Sequence, residues 1–156
     1  MFIKQVQTEY DIENVRILFR MYEAYLDVDL CFQSFEKELE NLPGKYSYPE
    51  GDLLIAGYKG KAAGCVAVRA LDKNICEMKR LFVIPEAMGS GIGKKLAQEI
   101  ILSAIELGYS LMRLDTLESL TQALYLYESL GFKKINPYYN NPLSGVVYLE
   151  LDLKTL

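Results

Sequence analysis

Between Asp11 and Leu26 hydrophobic residues recur every three to four positions, and Ile12, Val15, Phe19, Tyr22 and Leu26 share one face of a predicted amphipathic helix. A second helix is expected next, with Phe32, Phe35, Leu39 and Leu42 on one side and an end at Pro43-Gly44. Phe2 to Val6 alternates weakly and predicts a first strand, whereas Lys45 to Gly51, rich in Tyr, Pro and Gly, reads as a loop. The period then shortens to two. Leu53 to Tyr58 and Lys61 to Arg69 are strand-like and are joined by the two-residue turn Lys59-Gly60. Asn74 to Ile84 predicts another strand, but its adjacent charges Lys79 and Arg80 cannot both face one side of a regular strand. A bulge or an edge position accommodates them.

The clearest helix runs from Gly91 to Leu107. Ile92, Leu96, Ala97, Ile100, Ile101, Ala104 and Ile105 form its apolar stripe, and Gly108 supplies a stop. Leu111 to Thr116 predicts a strand, Ser119 to Leu130 a helix closed by Gly131, and Phe132 to Ile135 and Val146 to Leu153 the closing strands. No repeat, linker or low-complexity stretch interrupts this order. The succession β-α-α-β-β-β-α-β-α-β-β implies an α/β or α+β sheet with helices on both faces.

Composition narrows the function. The chain's 156 residues suit one domain, 1–156, and 51% apolar with 24% charged residues is a globular balance. A net charge of −4, with basic clusters only two residues long, speaks against nucleic acid as a partner. No apolar run reaches the roughly 18 residues of a membrane span. The N-terminal MFIKQVQTEYDIENV lacks the apolar core and cleavage site of a secretory signal, so a cytoplasmic protein is expected. Cys31, Cys65 and Cys76 form no CxxC pair and histidine is absent, which predicts reduced, buried thiols and no metal site. Without histidine a general base must be a carboxylate, or less often Tyr, Cys, Lys or water.

The stretch PEAMGSGIGKKL, Pro85 to Leu96, places three glycines at the entrance of the long helix. Glycine lets backbone amides approach a ligand, and a helix start offers unpaired N–H groups and a positive dipole end. Two familiar phosphate motifs fail here. A P-loop needs Ser or Thr after Gly93-Lys94, where Lys95 stands, and glycine where Met88 stands. A dinucleotide fingerprint starting at Gly89 needs glycine at Lys94, and the stretch follows an antiparallel-looking region.

The loop instead resembles that of the GNAT superfamily of acyl-CoA-dependent N-acyltransferases. Their pyrophosphate loop has Gln or Arg, two variable residues, Gly, a variable residue, then Gly or Ala. Met88-Gly89-Ser90-Gly91-Ile92-Gly93 occupies that frame, with Met88 in place of Gln or Arg, so one side-chain donor is lost. Cys76 to Val83 with Pro85 is similar to the family's often bulged fourth strand, and Ala123 to Phe132 to its Ala-x-x-Leu-Tyr-x-x-x-Gly-Phe segment. The resemblance covers most of the chain. It implies a GNAT-like mixed, mostly antiparallel sheet of about seven strands, and acetyl-CoA as cosubstrate.

The resemblance also implies roles for individual site residues. Glu77, eleven residues before Met88, stands where the family's fourth-strand glutamate deprotonates the incoming ammonium, often through water; its plain alternative is pairing with Lys79 or Arg80. Tyr127 matches the family's acid for the departing thiolate, although it shares an apolar stripe with Leu120 and Leu124 and suits a core as well. Tyr125 is expected to pack. Main-chain N–H groups around Leu81, Phe82 and Val83 would take the thioester oxygen and the pantetheine amides, like an added strand. Met88, Gly89, Ser90, Gly91, Ile92, Gly93 and Lys94 would take the pyrophosphate; Lys94 or Lys95 would lie near the 3′-phosphate or, as exposed helix lysines, simply be solvated. Thr116 and Ser119 flank the cofactor groove, Ser119 alternatively as a helix cap.

For the acceptor the same resemblance offers Tyr46, Tyr138, Tyr139, Asn140 and Asn141, with Arg80 if the acceptor carries a carboxylate. The loop PYYNNP, Pro137 to Pro142, reads equally as a rigid turn. The expectation is an N-acetyltransferase acting on a primary amine of a small molecule or peptide by direct attack in a ternary complex. No acyl-enzyme is expected, since Cys76 has no histidine to activate it. A homodimer is left open. The rivals are a non-catalytic acyl-CoA sensor of the same fold and, more distantly, a nucleotide-binding protein.

Overall fold

In the computed structural model the described residues are 1–30 and 34–156, so Cys31 and Phe32 lie outside them. Seven strands and four helices follow in the expected order among these residues. They are β1 (Phe2–Gln5), α1 (Glu9–Leu26), α2 (Phe35–Glu40), β2 (Asp52–Tyr58), β3 (Lys61–Ala70) and β4 (Ile75–Val83). After these come α3 (Ile92–Glu106), β5 (Leu111–Leu117), α4 (Thr121–Ser129), β6 (Lys133–Ile135) and β7 (Val146–Asp152). Helix α1 opens on a capping box: Thr8 accepts from the Asp11 N–H, and the Asp11 carboxylate accepts from the Thr8 N–H. Helix α3 buries Ile92, Leu96, Ala97, Ile100, Ile101 and Ala104 against β2, β3 and β4. Ile105, expected in that stripe, is 39% exposed because it lies at the stripe's margin. Tyr125, expected to pack, is exposed on the far side of α4.

One seven-stranded sheet has the order β1-β2-β3-β4-β5-β7-β6, and every neighbouring pair is antiparallel except β4 and β5. The expected bulge is present in β4. Cys65 faces Phe82 and Ala67 faces Lys79, so Val66 stands opposite both Arg80 and Leu81, and Arg80 takes a positive φ of 63°. The two adjacent charges thereby leave the strand in different directions, as their placement requires.

Already before the bulge, β4 ceases to pair with β5. Their parallel pairing ends after three rungs, Ile75 with Leu111, Cys76 with Met112 and Glu77 with Arg113. Beyond Glu77 the strands part, and the main-chain groups of β4 on that side have no β5 partner. The cleft so formed lies between α1, α3 and α4, and it positions everything that follows.

Candidate active site

Two connected spaces fill the cleft. The larger is an open groove of about 660 Å3 running from the end of β4 past the start of α3 to α4, a size that suits a cofactor. It is lined by Leu81, Phe82, Val83, Met88, Gly89, Gly91, Ile92, Gly93, Lys94 and Ser119. The smaller is a cavity of about 80 Å3, walled by β4 from Met78 to Leu81, by β5 from Leu114 to Leu117 and by Tyr22 of α1. Thr116, expected beside the cofactor, lines this smaller cavity and not the groove. Ser90 is turned inward, its hydroxyl donating to the Ala87 carbonyl.

The end of the groove at the start of α3 is made by backbone. Gly89 and Gly91 have φ of 83° and 91°, a left-handed conformation that side chains disfavour, while a Cβ at either would meet nothing within 4 Å. Conformation, not crowding, therefore asks for glycine at both. Gly91 caps α3, whose helical bonding opens with the Lys95 N–H donating to the Gly91 carbonyl, so the first-turn amides before it point out of the helix end. Met88 is 41% exposed at the groove wall and adds no charge. Ser119 does not cap α4: the cap position is Leu120, without a side-chain bond, and Ser119 is left facing the groove.

Tyr127 borders both spaces. Its ring meets Phe132 edge-on at 5.6 Å, and burial pushes its phenol pKa well up, as it pushes the neighbouring Tyr22 to about 12. Both phenols thus keep their protons at neutral pH.

Glu77 has a different situation from a free carboxylate in a pocket. It is 1% exposed and sits at the last β4–β5 rung. Arg69 Nε donates to its Oε1 at 2.9 Å, the Tyr138 hydroxyl donates to Oε2 at 2.6 Å, and Lys79 Nζ lies 3.8 Å from Oε1. The pairing with Lys79 exists, while the alternative with Arg80 does not. Glu77 is not among the residues of the cavity wall.

Arg80 is engaged elsewhere. Its Nε and Nη2 donate to Glu38 of α2 at 2.9 and 3.1 Å, and its guanidinium lies over the Phe35 ring at 5.1 Å. Burial works against this cation, but the Glu38 carboxylate outweighs it and holds Arg80 firmly charged. Tyr46 is buried among Phe19 and Glu38 and lines neither space.

Of the loop residues, Tyr138 reaches Glu77, Tyr139 donates from its hydroxyl to Asp115, and Asn141 Nδ2 donates to Asp115 Oδ2 at 2.9 Å. Tyr138, Tyr139 and Tyr148 meet pairwise in tilted and edge-on contacts with centroids 5.3 to 5.7 Å apart, so the loop is a packed cover. Asn140 is exposed, and its neighbour Asn141 enters the cavity wall.

Lys79, Asp115 and Tyr22 also line the cavity, and the sequence pattern did not place them in the site. A signal existed: Lys79 and Asp115 stand two residues beyond Glu77 and Arg113, on the same face of each strand. Knowing that β4 and β5 are neighbours in this register is what turns that period into a pair.

Comparison with known proteins agrees with this geometry. The family model described as Acetyltransferase (GNAT) family matches residues 17–132. An uncharacterised N-acetyltransferase of Schizosaccharomyces pombe is 43% identical over 153 residues, covering 97% of this chain and 94% of that protein. One from Dictyostelium discoideum is 34% identical over 216 residues, covering 99% and 100%. The N-acetylaspartate synthetase of Danio rerio is 30% identical over 131 residues, 83% of this chain but 45% of that longer protein. Among solved structures, an acetyltransferase from Streptococcus agalactiae superposes with a TM-score of 0.80 at 23% identity, covering 97% of both chains. A Salmonella typhimurium protein described as a putative acetyltransferase, solved with its cofactor acetyl-CoA, reaches 0.69 at 19%, covering 98% of this chain and 94% of that one. At those identities the two structures speak for the fold.

Proposed function

This chain belongs to the acetyltransferase (GNAT) family and is an acyltransferase with acetyl-CoA as cosubstrate, and from that premise we propose that it acetylates a primary amine of a small molecule or peptide by direct attack in a ternary complex. The observation that carries this reading is Tyr127, the buried, proton-bearing phenol that borders both groove and cavity. A thioester lying along the unpaired edge of β4 has its carbonyl beside main-chain N–H groups near Leu81 to Val83, which oppose the charge that develops on oxygen. The amine enters from the cavity, the N–C bond forms and the C–S bond breaks. Over the reaction the ammonium nitrogen loses two protons. One goes to a base and then to solvent; the other replaces the proton that Tyr127 hands to the departing sulfur.

Glu77 is the base in this reading, acting at one remove, since its carboxylate lies behind the cavity wall. No acyl-enzyme is invoked: burial raises the Cys76 thiol to about 12 and Cys65 higher still, so neither is a thiolate at neutral pH. Unpaired, buried thiols at Cys65 and Cys76 also fit a cytoplasmic setting. Among the described residues no helix is long and apolar enough to cross a membrane.

The test is thiol release from acetyl-CoA against a panel of amines, amino acids and peptides. At least one acceptor should accelerate release, and Tyr127→Phe should lower its kcat about 10²- to 10⁴-fold with little change in the KM for acetyl-CoA. An unchanged kcat removes Tyr127 from the acid role. Tight acetyl-CoA binding with no productive acceptor would leave the sensor reading in its place.

A further inference from the structure

We propose that the acceptor is a free α-amino acid, its carboxylate taken by Lys79 and its ammonium by Asp115. The proposal rests on the acetyl-transfer reading above and names the substrate class of that same site. Its ground is a pair of opposite charges that the parting of β4 and β5 leaves facing one small space. Glu77 and Arg113 form the last rung, and each is satisfied: Glu77 by Arg69 and Tyr138, Arg113 by Glu150 at 2.9 Å. Lys79 and Asp115 are the next same-face residues on the two strands, and both line the cavity. Lys79 is 9% exposed, close enough to Asp115 to feel its charge, and shares Glu77 with Arg69 across a looser 3.8 Å gap. Tyr139 and Asn141 both donate to Asp115 Oδ2, which orients the carboxylate in the cavity wall.

A cavity with the Lys79 cation on one wall and the Asp115 anion on the other matches a ligand with both charges. A simple amine would meet the Lys79 ammonium as a like charge, and a carboxylic acid would meet Asp115 as one. The space of about 80 Å3 is the volume of a few atoms. It admits the ammonium, Cα and carboxylate of an amino acid and directs a larger side chain toward the mouth. Arg80, the other cation in this wall, cannot share the task because both arms of its fork are held by Glu38.

The experiment compares glycine, L-alanine and L-aspartate with their α-amides, in thiol-release turnover and in calorimetric binding to the CoA-saturated protein. Each free acid should exceed its amide by at least about tenfold in kcat/KM, the worth of one charge-assisted hydrogen bond. Lys79→Met should raise the KM for the acids about 10- to 100-fold and abolish their advantage over the amides, and Lys79→Arg should restore part of that advantage. Asp115→Asn should raise KM for acid and amide together, because both carry the ammonium. Equal use of acids and amides by the unmodified protein overturns the proposal and leaves the acetyl-transfer reading intact. Acids that bind selectively yet are never acetylated sustain the recognition and sink the transfer. Absence of both binding and turnover for every amino acid overturns the proposal as well, whichever amine proves productive.

Discussion

Arg80 shows how much one side chain's role depends on what the fold sets beside it. As a cation on the site strand it suited an acceptor's carboxylate, yet its side chain is 2% exposed and clamped in a two-pronged bond to Glu38, itself 4% exposed. Lys45 Nζ joins at 3.2 Å, and although burial pushes Glu38 upward, Arg80 and Lys45 together hold its carboxyl below the usual value. Such a pair is costly to break from one side. Glu38→Gln should destabilise the protein by about 3–5 kcal/mol, read as a lower midpoint in urea. The double change Glu38→Leu with Arg80→Met should recover most of that loss, because no uncompensated charge remains. A Glu38→Gln protein as stable as the parent would show that Arg80 finds another partner. Glu77 teaches the same lesson: its type and position were readable, but its three neighbouring donors come from β3, β4 and the loop before β7.

At the scale of elements, the entrance to α3 is the part the chain writes most openly. The glycine at 91 meets a local demand, a left-handed residue at the cap of a helix, and local demands leave local signatures. Gly91→Ala should strain that turn by about 1–2 kcal/mol and raise the Kd for acetyl-CoA about tenfold. Gly60→Ala, at φ 80° in the β2–β3 turn, provides the control: a comparable loss of stability with acetyl-CoA affinity unchanged. Equal effects of the two on binding would mean that the loop's shape does not matter to the cofactor. The β4 bulge was also legible, since Lys79 beside Arg80 cannot sit in a regular strand. Its consequence was not. That the bulge turns Arg80 into α2 and leaves Lys79 at the cleft depends on the pairing of β3 with β4 and on where α2 packs.

For the molecule as a whole, the buried Lys79 links the site to pH. Burial lowers its pKa from the ordinary 10.5 to about 8, with Glu77 and Asp115 pulling upward and Arg80 and Lys45 pulling down alongside burial. Between pH 8 and 10.5 the unfolded chain then holds one more proton at this position than the folded one, so stability rises with pH across that window. Denaturation of the parent and Lys79→Met from pH 7 to 10.5 should show the parent gaining on the variant through the window; parallel curves would mean that Lys79 is not desolvated. The KM for a free amino acid should climb above about pH 8 as the same ammonium is lost. By itself the chain determined what is local: the two periods and hence the order of elements, the bulge, the glycine cap, and Tyr127 in its segment before Gly131-Phe132. Only the tertiary structure decided which charges of β4 reach the small cavity and which are spent on packing. The reason is that the β3–β4 and β4–β5 registers and the docking of α2 join residues up to 42 positions apart, and no window of sequence holds both partners.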